Sequence, residues 1–104
     1  MIIKKILCVC ERGNSRSVAL AWLLKEIGHE ALAIGMYTSS RETQKMLFEW
    51  ADTIIVVDAQ ISFPIECVKK ITVWDVGKDQ YFRSFSPELI RQFITYMKKD
   101  NEIR

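Results

Sequence analysis

No stretch rich in glycine, proline or serine divides this chain of 104 residues, whose four glycines and two prolines are dispersed. Internal repeats and low-complexity tracts are missing as well, which argues against domains on linkers and against a repeat array. A single domain spanning 1–104 is expected, with Asp100–Arg104 reading as a frayed end. No apolar run approaches the roughly 18 residues of a membrane span. Lys4 and Lys5 interrupt the N-terminus where a signal peptide would carry its hydrophobic segment, so a cytoplasmic protein with no membrane partner is expected. Charge of one sign is lacking too: 15 Lys and Arg stand against 13 Asp and Glu, a net of +2. The basic residues are scattered among acids without an aromatic-basic stripe, which speaks against nucleic acid as a partner. The three cysteines are an odd number, and there is one histidine. Cys8 and Cys10 are two apart, Cys67 lies far off and His29 has no partner motif, so neither a disulfide framework nor a metal site is indicated. Cys8 and Cys67 read as core residues and His29 as a loop residue, and no cofactor is implied.

What is present is an alternation of strand and helix, the signature of an α/β fold on a parallel sheet. Hydrophobic residues make up 49% of the chain, enough for a core without staples. Ile2–Val9 reads as a buried strand, and Val18–Leu24, apolar nearly all round, as a helix packed on a sheet. Gly28-His29 breaks the pattern before a second strand over Glu30–Gly35. Ser39-Ser40-Arg41-Glu42 offers a capping box for a second helix, with Met46, Leu47, Trp50 and Ala51 as its apolar face. Thr53–Val57 is a third strand ending at Asp58, and Lys70–Trp74 a fourth; Pro64 interrupts any long helix between them. Ser86-Pro87-Glu88 starts a last helix, whose Leu89, Ile90, Phe93, Ile94 and Met97 should be core.

The chemistry concentrates between the first strand and the first helix, in Cys10-Glu11-Arg12-Gly13-Asn14-Ser15-Arg16-Ser17. A thiol, five intervening residues, then Arg-Ser allows a loop to wrap one tetrahedral oxyanion, with backbone N–H groups and a planar guanidinium directed at its oxygens. The following helix contributes the positive end of its dipole, which together with Arg16 favours a thiolate at Cys10. Cys10 is therefore the candidate nucleophile, Arg16 the candidate clamp, and Glu11, Arg12, Gly13, Asn14, Ser15 and Ser17 the candidate phosphate cradle. A coincidental loop with a core cysteine is the bland alternative, and the strand–loop–helix context argues against it. Asp58, at the carboxyl end of a strand, reads as a turn residue or helix cap.

This run, on a strand-to-helix turn in a small α/β chain, resembles the low-molecular-weight protein tyrosine phosphatases. Trp50-Ala51-Asp52-Thr53-Ile54-Ile55-Val56 is similar to the family's third strand, and Asp79-Gln80-Tyr81 to its late Asp-Pro-Tyr. The resemblance implies a three-layer fold with a four-stranded parallel sheet in the order 2-1-3-4. It also implies that Cys10 is the nucleophile, Arg16 the phosphate-binding arginine, Ser17 the hydroxyl that hydrogen-bonds the thiolate, and Asp79 the general acid. Tyr81, read from the residues themselves, has two uses open to it: packing at the sheet edge, the commoner role of an aromatic there, or flanking the cleft mouth to stack on an aromatic substrate. The departures are specific. Gly13-Asn14 lies one place later than in the family loop, Val18 replaces a proline, Gln80 replaces another, and Lys78 reads as an insertion, which keeps Asp75 open as a second candidate for the acid. The chain is also shorter than the usual member.

The expected reaction is hydrolysis of a phosphomonoester, phosphotyrosine above all, through a cysteinyl-phosphate, on a phosphorylated protein or small phosphoester, by a monomer or weak dimer with no metal. Two other readings stay open: a phosphocarrier of the sugar-transport IIB type, which would lack the Arg16 clamp, and a thiol-dependent arsenate reductase, which needs two further shuttling cysteines. A non-catalytic phosphate-binding module follows if no acid reaches the cleft.

Overall fold

The computed structural model describes residues 2–11, 16–59, 61, 63, 69–77 and 86–103. Its elements run β1 (Lys5–Cys10), α1 (Arg16–Glu26), β2 (Glu30–Gly35), α2 (Arg41–Trp50), β3 (Thr53–Val56), β4 (Ile71–Val73) and α3 (Pro87–Lys99). The four strands form one sheet in the order β2-β1-β3-β4, every pair parallel. This is the expected architecture and the expected strand order.

Strand alternation divides the core into two layers. Ile6, Cys8 and Cys10 of β1 point to the face covered by α1 and α3, where Leu20, Leu24, Leu89 and Phe93 are buried. Leu7 and Val9 point to the opposite face, against Phe48 of α2. A strand buried on both faces needs a continuous apolar run, and Ile6–Cys10 supplies one. The strand begins at Lys5, later than the apolar pattern predicts. Its first pairing is Lys5 with Glu30, and Ile2 and Ile3 lie ahead of the ladder with 79% and 62% exposure.

Three other expectations are corrected. Met46 is exposed, and Phe48 is the buried residue of α2. Gln44, Leu47, Phe48 and Ala51 share one face at helical spacing, while Met46 lies across the helix from them. Ser40, one residue later than the predicted box, is the N-cap; its Oγ accepts from the Thr43 N–H at 3.1 Å. Ile94 is 36% exposed because it sits well round the helix from Leu89 and Phe93.

The two ends of the chain are tied together by His29. Its Nδ1 accepts from the Lys4 N–H at 3.0 Å, which places the ring proton on Nε2, where it is donated to the Ile103 carbonyl. His29 is therefore a buried bridge within its loop, and Ile103, in the segment expected to fray, is 1% exposed in the α1–α3 layer.

Candidate active site

The strand order creates a switch point. From β1 the chain passes over one face through α1 to β2, and then over the other face through α2 to β3, so the carboxyl ends of β1 and β3 border a crevice. Cys10 ends β1 on one side of it. On the other side Asp58 follows β3 and the buried Val57, whose N–H extends the ladder to the Val9 carbonyl at 3.1 Å. Arg16 and Ser17 open α1, where the first N–H groups of a helix lack intrahelical acceptors and its dipole is positive.

These four side chains are all buried, and they are joined in two pairs. Cys10 Sγ lies 3.0 Å from Ser17 Oγ. The Arg16 guanidinium, 1% exposed, is gripped at Nη1, which donates to Asp58 Oδ2 at 3.4 Å and to the Gly77 carbonyl at 2.5 Å. Asp58 has a side chain only 4% exposed. A buried cation needs such an anion, because burying either charge alone would be prohibitive. The other edge of the guanidinium is different: Nε is buried and has no partner among the described residues. Leaving a donor so costs about 1–3 kcal/mol, a cost that an oxyanion at this edge would remove.

The rim is built by extending the β1–β2 pairing past the strand ends. The Met36 N–H donates to the Cys10 carbonyl at 3.0 Å and the Tyr37 N–H to the Glu11 carbonyl at 2.8 Å. The turn that follows is braced from within: Ser39 Oγ donates to the Gly35 carbonyl at 2.6 Å, and Gln44 Nε2 to the Met36 carbonyl at 3.1 Å and the Ser39 carbonyl at 3.3 Å. On this braced turn Tyr37 stands 70% exposed, its backbone beside the first loop residue after the thiol.

No protein-family profile matches the sequence, and no curated protein matches it. The fold is similar to that of the YwlE arginine phosphatase from Geobacillus stearothermophilus. The two superpose over 92% of each chain with a TM-score of 0.69 at 16% sequence identity. At that identity the likeness to YwlE speaks for the backbone architecture, and it extends over nearly the whole chain.

Of the residues singled out in the sequence, Cys10 and Ser17 are brought together, Arg16 is buried against Asp58 and the Gly77 carbonyl, and Glu11 stands half-buried at the rim. Arg12, Gly13, Asn14, Ser15, Asp79 and Tyr81 lie outside the described residues, as does Cys67. Cys8 is a core residue, and burial, with a further contribution from the neighbouring Cys10, pushes its thiol far above the ordinary value of 9.0. Asp75 is exposed, and its Oδ1 accepts from the Gly77 N–H at 2.8 Å. Sequence reasoning gave Asp58 to a turn and did not single out Gly77 or Tyr37. The available signal for Asp58 was an acid directly after a fully apolar strand, at the end of the sheet where α/β sites gather.

Proposed function

We propose that this protein is a cysteine-dependent phosphomonoester hydrolase that works through a cysteinyl-phosphate, with phosphotyrosine as its expected substrate. The observation that carries the reading is the buried Arg16, held at Nη1 by Asp58 and Gly77, with no partner for Nε among the described residues, next in sequence to the serine that touches Cys10. A bland core cysteine would require neither the arginine nor its fixed orientation. The YwlE-like fold agrees with a phosphatase at the level of architecture.

In the proposed mechanism Cys10 Sγ attacks phosphorus while the bond to the leaving group breaks in line. Ser17 Oγ–H donates to the thiolate, and the free edge of Arg16 and the N–H groups of the loop from Glu11 to Ser15 bind the equatorial oxygens. Asp79 gives its proton to the leaving atom. Water then attacks the cysteinyl-phosphate and passes a proton to Asp79, the S–P bond breaks, and inorganic phosphate departs, regenerating the thiolate and the acid. Tyr37 and Tyr81 would flank the leaving group. A second reading comes from the neighbour's printed activity. Phosphoarginine has a planar guanidinium as its leaving group, which a tyrosine face accepts as readily as an aryl ring.

Release of inorganic phosphate from p-nitrophenyl phosphate, phosphotyrosine peptide and phosphoarginine peptide tests the proposal. Turnover of any of the three that vanishes in Cys10→Ser is expected, and the ratio between the peptides decides the substrate. Asp79→Asn should slow the ester with a basic leaving group by roughly a hundredfold and the nitrophenyl ester much less, since only the former needs a proton in its transition state. A stable phosphocysteine without phosphate release would favour the phosphocarrier reading.

A further inference from the structure

Arg16 is aimed by a short relay that begins outside the crevice. Gly77, whose carbonyl takes the Arg16 Nη1–H, has φ of 84°, in the left-handed region that favours glycine. Its own N–H is tied to Asp75 Oδ1 at 2.8 Å, an Asx turn that closes the chain around Val76. Each neighbouring residue is fixed as well. The Trp74 N–H donates to the Val56 carbonyl at 2.8 Å and the Val76 N–H to the Val57 carbonyl at 3.0 Å, so the segment runs alongside the end of β3 that carries Asp58. Tyr96 Oη on α3 donates to the Asp75 carbonyl at 2.8 Å, and the Tyr96 ring stacks on Trp74 with centroids 5.6 Å apart.

We infer that Asp75 is a positioning residue: through its bond to the Gly77 N–H it holds the Gly77 carbonyl on Arg16 Nη1 and so turns the Nε edge of the guanidinium toward the bound oxyanion. The inference rests on the proposed phosphate role of Arg16. Two acceptors, Asp58 Oδ2 and Gly77 O, fix the guanidinium where one would leave it free to pivot, and a planar group that pivots loses its two-point match to an anion. Asp58 is itself buried beside β3, whereas the Gly77 carbonyl sits on an exposed turn and depends on the Asx bond for its direction. The relay assigns Asp75 an acceptor's task, distinct from the proton donation also open to it on sequence grounds. An asparagine amide oxygen can accept from the Gly77 N–H equally well, and it cannot serve as a general acid.

The test compares Asp75→Asn, Asp75→Ala and Gly77→Ala, reading kcat and KM on aryl phosphates with basic and activated leaving groups, the inhibition constant of vanadate, and the thermal midpoint. Asp75→Ala should lose about tenfold to a hundredfold in both kcat/KM and vanadate affinity, with the same loss on every leaving group. Asp75→Asn should recover most of it. Gly77→Ala, which disturbs the same carbonyl through the backbone, should match Asp75→Ala and carries the test should that variant not fold. An Asp75→Asn as impaired as Asp75→Ala, or a loss that grows with leaving-group basicity, would overturn the inference and make Asp75 the acid. Vanadate affinity unchanged in Asp75→Ala and Gly77→Ala would overturn it too. A wild-type chain that binds vanadate without turnover would overturn the hydrolase reading alone, and one that bound no oxyanion would overturn both.

Discussion

Two cysteines share one face of β1 two residues apart, and their surroundings give them opposite chemistry. Cys8 lies wholly in the core with its thiol pushed far up by burial, while Cys10 meets a hydroxyl and the start of a helix at the sheet's carboxyl end. Cys10→Ser should therefore abolish aryl phosphate hydrolysis while keeping vanadate binding, because Arg16 and the loop amides remain; Cys8→Ser should keep most activity. A dead Cys8→Ser enzyme beside an active Cys10→Ser one would reverse the assignment. Cys8 also sets a pH dependence. A pKa raised on folding means that the unfolded chain releases this proton first, so its contribution is complete below 9.0 and fades as pH rises above that value. Chemical denaturation between pH 8 and about pH 10.5 should show stability falling, with a shallower fall in Cys8→Ala. At Arg16 a lysine keeps the charge without the fork, so Arg16→Lys should lose on the order of a hundredfold or more in kcat, and a few-fold change would mean that the guanidinium does not meet the phosphate.

Between β2 and α2 the chain spends several hydrogen bonds on a turn that has little to do with the core. Gln44 faces the sheet side of α2 at the spacing of Leu47 and Phe48, and it uses that place to tie down the Met36 and Ser39 carbonyls. The result is an exposed tyrosine on a fixed backbone beside Glu11. Stacking against a planar leaving group contributes about 0.5–1.5 kcal/mol, so Tyr37→Ala should lower kcat/KM on aryl phosphates roughly threefold to tenfold, with Tyr37→Phe close to wild type. Hydrolysis of a small alkyl phosphate supplies the control. An equal loss on both substrates would show that the substitution disturbs the loop and that the ring binds nothing.

Across the whole molecule the two ends of the described chain are joined at the start of β1, at the opposite end of that strand from Cys10. His29 takes the Lys4 N–H and gives its own proton to the Ile103 carbonyl, and the Ile103 side chain fills the α1–α3 layer. Deleting residues 103–104 removes one buried aliphatic side chain and leaves a buried imidazole N–H unpaired, which should destabilise by roughly 3 kcal/mol. A thermal melt should show that loss as a lower midpoint. An unchanged midpoint would return the C-terminal residues to the frayed end that their polar composition suggests.

Period and punctuation in the sequence determined the elements. Apolar runs of strand length, helix-spaced apolar residues and Ser86-Pro87-Glu88 all describe neighbours within a few residues, where backbone geometry is local. The Cys-x5-Arg-Ser spacing belongs to the same class, since it is a short local run, and of its groups the Cys10 thiol and the Ser17 hydroxyl are in contact. Met46 against Phe48 marks the limit of that reasoning: both are apolar, and which one is buried depends on where the helix axis lies over the sheet. What only the tertiary structure decided are the contacts between distant segments. Asp58 reaches Arg16 across 42 positions and Gly77 across 61, and His29 reaches Ile103 across 74. No local pattern announces such pairs, because an acid, a glycine and a histidine each have ordinary uses in turns. They acquire their partners when parallel strand order brings the carboxyl ends of β1 and β3 to one crevice, where a buried charge must find its counter-charge.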